Sequence, residues 1–125
     1  MTKNEQVVIY NLSRPETKPI NAKYCASFLC QLRGLTFRRH IPTRWGLLLV
    51  QKRDSRIDAS IHMLGVFTDL TIVWINSDRE VVDVKLAKRW HLAYLPEQPA
   101  CYVLELSPVH LGDFVVGDRV NIEGK

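Results

Sequence analysis

The side chains in this chain that could do chemistry are concentrated in a basic segment of its first half. Cations there are interleaved with Phe37 and Trp45. Guanidinium groups neutralise phosphates while aromatic faces stack on bases, so this composition is typical of a surface for single-stranded nucleic acid. The alternative is a solvated basic surface whose arginines pair with acids from the second half. The candidate basic patch consists of Arg38, Arg39, Arg44, Lys52 and Arg53.

Charge is distributed unevenly along the chain. Residues 1–56 hold eleven basic and three acidic residues, whereas residues 57–125 hold six basic and ten acidic ones. If the basic patch binds phosphate groups, its five cations must share one exposed face without intervening carboxylates, because phosphate tracking needs a continuous positive stripe. We expect instead that the fold disperses them.

A second candidate site is a ligand groove between the basic segment, a strand that contains His62 and a loop that contains Trp90. His62 has two interpretations, a hydrogen-bonded structural histidine or a general base. Glu105 shares a strand face with Val103, so it is either exposed or paired with Arg33 in a buried ion pair. The residues assigned to this candidate groove are Arg33, Trp45, His62, Met63, Trp90 and Glu105.

The sequence contains no recognisable catalytic, cofactor or metal-binding motif. Ser60 and Ser77 lack the context of a nucleophile elbow, and the four histidines do not have the spacing of zinc ligands. Three cysteines, Cys25, Cys30 and Cys101, are an odd number, and none forms a Cys-x-x-Cys pair. We therefore predict that all three are unpaired and that no metal or cofactor is bound. A redox or metal role for the cysteines is the alternative.

Length and composition indicate one domain over residues 1–125. A chain of 125 residues that is 46% apolar can bury a core of its own, and no linker or low-complexity tract divides it. The first apolar run, Val7 to Tyr10, is too short for a secretory signal. No run approaches the roughly 18 apolar residues of a membrane span. The expected location is therefore the cytoplasm, with no membrane partner.

Local patterns in the first half predict short strands and a small helix. Strands are predicted at residues 7–10, 21–25 and 46–50, and the last is a continuous apolar run that suits a strand buried on both faces. Ser27 is predicted to cap a helix of about two turns that reaches Arg33 and ends at Gly34, because glycine readily adopts the left-handed conformation. Residues 52–56 are predicted to be a polar connection.

The clearest prediction in the second half is a hairpin of residues 70–75 and 80–86 around a turn at Asn76 to Arg79. Further strands are predicted at residues 59–64, 101–106 and 119–123, with an ordered loop at 90–99 and a short helical turn at 108–114. The predicted fold class is α+β. We expect a compact, strand-rich single domain with about seven short, mainly antiparallel strands in a barrel-like or strongly bent sheet, and one or two short helices.

Several of these segments resemble, in order and spacing, the motifs of a known family. They are Leu32 to Leu35, Gly46 to Leu49, Ser60 to His62, Leu70 to Val84, Tyr102 to Leu106 and Gly117 to Val120. Over about residues 22–122 the chain is similar to the domain of unknown function 192 family. The resemblance implies a compact, strand-rich α+β domain of no established biochemical activity.

Two positions depart from that family pattern. Many relatives carry Phe-Pro-Ile-Asp before the central strand, where this chain has Thr68-Asp69-Leu70-Thr71, and many carry an arginine where this chain has Gln31. If a family site depends on that acid and that base, this chain has lost or altered it.

These features favour a non-catalytic binding or accessory domain whose partner is an unidentified small molecule or protein. Two alternatives stay open. One is a nucleic-acid-associated protein that uses residues 33–56, and the other is an enzyme of a class that the sequence does not reveal.

Overall fold

Seven β-strands supply most of the regular structure in the described part of this chain, in the computed structural model. The structure describes residues 5–27, 30–31, 41–63, 65–91 and 93–124. Runs of β-branched, aromatic and other apolar residues form most of these strands, as their preference for a pleated, half-buried surface requires. The strands are β1 (Gln6–Asn11), β2 (Ile20–Cys25), β3 (Trp45–Ser55), β4 (Leu70–Ile75), β5 (Val81–Ala87), β6 (Ala100–Leu106) and β7 (Val120–Gly124).

All seven strands belong to one sheet, in the order β5-β4-β6-β3-β2-β1-β7. The pairs are antiparallel except for β2 with β3, which are parallel. The expectation of a mainly antiparallel sheet is confirmed. A parallel pair needs a long crossover connection, and here residues 26–44 link the two strands.

One face of the sheet holds a core to which every strand contributes. Successive side chains of a strand point to opposite faces, so alternate residues of each strand enter this core. Phe114, from the loop before β7, fills it further. The strand residues of this core are Val7, Ile9, Ile20, Ala22, Leu48, Val73, Ile75, Val81, Leu104, Leu106 and Val120.

The opposite face is covered by segments that lie between the strands. Ile41, Ala59, Ile61, Met63 and Val66 pack there against side chains of β3, β4 and β6. Because both faces are covered, all six residues of β4 are buried. Leu47, Leu48 and Leu49 of β3 are buried as well, which confirms the prediction of a strand enclosed on both sides.

The sheet bends but does not close. Its two edge strands approach each other at one end, where Glu80 and Arg119 form an isolated bridge. Beside it, the N–H groups of Val81 and Val120 donate to the carbonyls of Asp118 and Arg79, at 2.8 and 2.9 Å. The fold is a strand-rich single domain with an open sheet, so of the two predicted forms, a barrel-like or a strongly bent sheet, the closed barrel is not formed.

The described residues contain little helix, so the α+β label and the expected one or two helices are not confirmed. A 3-10 helix spans Pro108–His110, inside the predicted turn. Cys30 and Gln31 are helical, and the Ser27 hydroxyl accepts the N–H of Cys30 at 3.1 Å, which is the predicted cap. The remaining helix positions, including Gly34, lie outside the described residues. No helix in the described ranges is long and apolar enough to cross a membrane.

The predicted hairpin is confirmed as β4 and β5. The side-chain oxygen of Asn76 accepts the N–H groups of Asp78 and Glu80, both at 3.0 Å. Arg79 adopts a positive φ of 65°. Asparagine closes such turns because its side chain replaces a backbone acceptor.

Two boundary predictions are wrong. β3 continues through the predicted connection to Ser55, since pairing of Ser55 with Ala100 of β6 extends the ladder even where the side chains are polar and exposed. The described residues 59–63 do not form a strand. Ala59, Ile61 and Met63 cover the sheet face, where Ile61 forms an isolated bridge with Tyr94 and the backbone of Met63 hydrogen-bonds with that of Trp90 and His91.

Candidate functional site

A cleft of about 480 Å³ opens where three separate segments meet. The first is the connection between β1 and β2, the second precedes β3, and the third follows the 3-10 helix. Ligand pockets in proteins commonly fall in the range of roughly 300–1,000 Å³. The cleft is lined by Arg14, Glu16, Thr17, Lys18, Pro19, Ile20, Thr43, Arg44, His110, Gly112 and Asp113.

Backbone hydrogen bonds fix the first two segments. The N–H of Arg14 donates to the carbonyl of Asn11, and the N–H of Thr17 donates to the carbonyl of Arg14, at 3.2 and 2.9 Å. The carbonyl of Arg44 accepts the N–H of Asn21 at 3.2 Å. These bonds fix the backbone of the turn before Lys18 and tie Arg44 to the start of β2.

His110 ties the third segment to the second. Its Nδ1 lies 2.8 Å from a carboxylate oxygen of Asp113, and its Nε2 contacts the carbonyl oxygen of Thr43. A carbonyl oxygen can only accept a hydrogen bond, so Nε2 is the donor to Thr43. The imidazole is 7% exposed. His110 is therefore a buried residue that connects the third segment of the cleft to the second.

The charged residues of the cleft divide into paired and unpaired groups. Arg14 Nε lies 3.1 Å from Asp118 Oδ2, and Asp113 is bound to His110. No ion pair joins Lys18, Arg44 or Glu16 to another residue in the described ranges. Two cations and one carboxylate are thus available to a bound molecule.

The structure brings together only part of the groove predicted from the sequence. Trp45 packs against the covered sheet face, where Met63 is buried. Trp90 is half exposed, and its backbone N–H donates to the backbone carbonyl of Met63 at 2.9 Å. His62 is exposed, and Arg33 lies outside the described residues. The groove as a binding site stays a prediction.

Among the predicted groove residues, Glu105 has a carboxyl group with a strongly shifted pKa. It lies on β6 between Leu47 of β3 and Ile72 of β4, and it is 6% exposed. Burial alone raises the pKa of its carboxyl to about 7, because an apolar environment disfavours the charged form. No hydrogen bond or ion pair connects this carboxyl to another described residue.

The members of the basic patch that the structure describes do not converge. Arg44 precedes β3 and lines the cleft, whereas Lys52 and Arg53 lie toward the other end of that strand. At a rise of about 3.3 Å per residue, Arg44 and Lys52 are roughly 26 Å apart. Arg53 lies 3.9 Å from the Asp58 carboxylate. Arg38 and Arg39 lie outside the described residues.

Comparison with known protein families shows which family this chain resembles. A family model matches residues 10–122, and that family, DUF192, carries the description "Uncharacterized ACR". The chain belongs to the DUF192 family. The match confirms the resemblance drawn from the sequence motifs, and it extends that resemblance to β1.

Several curated relatives of the DUF192 chain are UPF0127 proteins. One from Thermococcus kodakarensis is 38% identical over 89 residues, which are 71% of this chain and 54% of the relative. One from Pyrococcus furiosus is 32% identical over 95 residues, covering 76% of this chain and 78% of the relative. The chain spans about half the length of the relatives from Thermococcus kodakarensis and Thermococcus gammatolerans.

Two solved structures share the fold. One, from Sinorhizobium meliloti, is described as a candidate transcription regulator and has a TM-score of 0.80 at 21% identity, over 94% of this chain and 92% of its own. The other, a protein of unknown function from Novosphingobium aromaticivorans, has a TM-score of 0.76 at 20% identity, over 93% of this chain and 83% of its own. At these identities the likeness is one of fold.

The structure shows the burial and the hydrogen-bond partners of the two positions that depart from the DUF192 pattern. Gln31 donates to the carbonyls of Cys25 and Val50, at 3.1 and 2.8 Å, so it joins β2 to β3. Thr71 is fully buried in β4, and its hydroxyl has no hydrogen-bond partner among the described residues. Asp69 is instead at the surface, where it binds Arg89.

The prediction of three unpaired cysteines is wrong. Cys25 and Cys30 form a disulfide with a Cα–Cα distance of 5.6 Å. Cys101 is free and buried, and burial together with the Asp54 carboxylate raises its pKa to about 11, so it is protonated at neutral pH. The described residues contain no cluster of three or more potential metal ligands. That no metal binds remains a prediction.

Most of the residues that line the cleft were not predicted from the sequence. Lys18 and His110 are separated by more than ninety positions, and neither belongs to a local motif. Their proximity follows from the sheet order, which places β1 between β2 and β7. Local signals existed only for Arg44, a member of the predicted basic patch, and for the third segment, because Ser107-Pro108 is a typical start of a short helical turn.

Proposed function

We propose that this DUF192 chain is a non-catalytic binding module that holds a small molecule in the cleft described above. The observation that carries this proposal is the cleft itself, a concavity of about 480 Å³ whose polar side chains come from three segments. Concave sites with a few convergent polar groups are where proteins usually bind metabolites.

The state of His110 supports a binding role over a catalytic one. A general base needs a ring nitrogen that can take a proton from the substrate. In this cleft Nδ1 faces Asp113 and Nε2 faces the carbonyl of Thr43. Both nitrogens are therefore engaged, and the imidazole acts on the architecture of the cleft. An enzyme of another kind remains the weaker alternative.

Nucleic-acid binding is the second alternative, and the charge distribution gives it less support. The transcription-regulator description of the Sinorhizobium meliloti protein belongs to that protein. In this chain Arg44 and Lys52 are separated along β3, and Arg53 has an acidic neighbour in Asp58. A continuous stripe of cations, which phosphate tracking needs, is not formed by the described members of the patch.

Ligand-induced stabilisation tests the proposal. A small-molecule library, screened by thermal shift on the full chain, should contain compounds that raise Tm by several degrees at concentrations well above their Kd. Gly112 offers a variant that fills the cleft, since a Cβ built there meets no atom within 4 Å. Gly112→Trp should fold and lose the shift.

Gly124→Trp is the matched control, because Gly124 also has no atom within 4 Å of an added Cβ and lies at the end of β7, away from the cleft lining. It should keep the full ligand shift. A library without any stabilising compound, or a shift that persists in Gly112→Trp, would overturn the proposal. A salt-sensitive shift with single-stranded oligonucleotides alone would favour the nucleic-acid alternative.

A further inference from the structure

The unpaired charges of the cleft indicate the chemistry of its ligand. Lys18 and Arg44 have no acidic partner among the described residues, while the remaining arginine of the lining, Arg14, is bound to Asp118. Two cations that face a common space repel each other, and a negative group between them relieves that repulsion. Arg44 in addition presents the planar donor fork that suits carboxylates and phosphates.

We propose that the cleft binds a small organic molecule with a single anionic group, a carboxylate or a phosphate, that lies between Lys18 and Arg44. This inference rests on the proposed function, since it specifies the ligand of the same cleft. It assigns the two cations as the anion-binding groups and His110 as a positioning residue.

The backbone of Arg44 is held in place before any ligand arrives. Its carbonyl accepts the N–H of Asn21 at 3.2 Å. The preceding residue, Thr43, is held by His110, and the following one, Trp45, donates its N–H to the carbonyl of Pro42 at 3.3 Å. A fixed backbone reduces the ordering cost of binding, so this side of the cleft is prepared for an anion.

The size and lining of the cleft require more than an inorganic ion. A water molecule occupies about 30 Å³ in the liquid, so a cleft of about 480 Å³ has room for an organic body. Pro19 and Ile20 contribute apolar atoms to the lining of the cleft. The ligand therefore carries its anionic group on a carbon skeleton.

Glu16 determines which chemical groups the ligand can carry beside its anionic group. Its carboxylate lines the same cleft and has no cationic partner among the described residues. A second negative group near it would be repelled, whereas hydroxyl or amine groups can donate hydrogen bonds to it. A monophosphate or monocarboxylate that also carries hydroxyl groups meets both requirements.

Titration calorimetry on the full chain at low salt tests this proposal with glucose 6-phosphate, glycerol 3-phosphate and gluconate as probes, and with glucose as the neutral counterpart. At least one anionic probe should bind at concentrations up to about 10 mM, a range that detects millimolar Kd values. Glucose should bind at least tenfold more weakly, because it lacks the charge-assisted contacts. Binding should weaken as salt is added.

Variants identify the groups involved. Lys18→Gln and Arg44→Gln should each weaken the anionic probe about tenfold, the usual effect of losing a hydrogen bond to a charged group. Lys52→Gln, a neutralised cation at the other end of β3, should bind like the parent chain. Glu16→Gln should bind inorganic phosphate more tightly than the parent does, because the opposing carboxylate is gone. All four positions are at the surface, and circular dichroism would verify folding.

The outcomes separate the two proposals. If no anionic probe binds, or if Lys18→Gln and Arg44→Gln bind like the parent, the anion assignment is wrong. If glucose or another neutral compound binds and Gly112→Trp abolishes that binding, the cleft is a ligand site but not for anions. If the library of small molecules gives no ligand at all, the proposed function itself fails.

Discussion

Glu105 shows how far a strand position can alter the chemistry of one residue. Its carboxyl lies at the centre of the sheet, between β3 and β4, with the pKa raised to about 7 by burial. Alternation along β6 predicts that Glu105 and Val103 share a face. It cannot predict that this face is buried, because that depends on the segments that cover it.

This carboxyl should make the stability of the protein depend on pH. Its folded pKa of about 7 exceeds the reference value of 4.5, so between these values the folded chain keeps a proton that the unfolded chain releases. The contribution of Glu105 to the free energy of unfolding is thus complete below pH 4.5 and lost as pH rises through about 7.

Glu105→Gln, which mimics the neutral acid, should remove this dependence and be more stable than the parent above pH 7, by up to about 3 kcal/mol. Urea unfolding from about pH 5 to about pH 8 measures the difference between the two proteins. Parallel profiles for parent and variant would show that the Glu105 carboxyl is already ionised in the fold.

At the scale of elements, the corner after β2 combines a disulfide, a helix cap and a side-chain bridge. Cys25 ends β2, and Ser27 caps the turn that carries Cys30. Gln31 then reaches back to the carbonyls of Cys25 and Val50. The cap holds the N–H of Cys30 on Ser27, and the Cα atoms of the two cysteines lie 5.6 Å apart. Their spacing of five does not by itself reveal this, and for that reason the sequence prediction failed.

Reduction of this disulfide should destabilise the protein. Closing a loop of six residues is worth about 2 kcal/mol in the chain-entropy model, so a thiol reductant should lower Tm by several degrees. Cys25→Ala/Cys30→Ala serves as the control and should not respond to the reductant. Under denaturing, non-reducing conditions the parent should show one free thiol, that of Cys101. Three free thiols would contradict the disulfide.

Other elements show which sequence signals are sufficient. The β4–β5 hairpin could be predicted because Asn76 supplies the turn chemistry locally. The extension of β3 to Ser55 could not, since it depends on pairing with Ala100 of a distant strand. Residues 59–64 have a strand-like pattern in the sequence, but Ala59, Ile61 and Met63 lie over the sheet face, because that face needs apolar cover.

At the scale of the whole molecule, the cleft is a product of topology. The sheet order places the first strand between the second and the last, so the β1–β2 connection meets the loop before β7. Each wall comes from a segment without a recognisable motif. The sequence could therefore indicate the strands and the family, whereas the site required their arrangement in space.

Asp118 links several of these distant segments. One carboxylate oxygen accepts hydrogen bonds from the Asn11 side chain, the Arg14 guanidinium and the N–H of Val115, at 2.9, 3.1 and 3.0 Å. Its backbone carbonyl accepts the N–H of Val81 at 2.8 Å. One residue thus connects β1, the cleft wall, the loop before β7 and the edge strand β5.

Asp118→Ala should therefore destabilise the whole fold. Burial acts to raise the pKa of the Asp118 carboxyl, but hydrogen bonds from Asn11 and Val115 and the charge of Arg14 outweigh it, so the pKa is lowered from 3.8. The stabilisation is present above pH 3.8 and is lost as pH falls through the lower folded value. At neutral pH the variant leaves buried donors without an acceptor and should lose about 3 kcal/mol, a large share of the roughly 5–15 kcal/mol of a typical domain.

Asp69→Ala provides the comparison, because Asp69 pairs with the exposed side chains of Lys88 and Arg89, and an ion pair with exposed cations contributes about 1 kcal/mol or less. Urea unfolding at neutral pH should separate the two variants clearly. As pH falls below 3.8, the stability of the parent chain should approach that of Asp118→Ala, because the protonated carboxyl no longer attracts Arg14. If Asp118→Ala unfolds together with Asp69→Ala at neutral pH, Asp118 does not hold the first strand, the last strand and the cleft wall together, and the cleft must be maintained chiefly by His110.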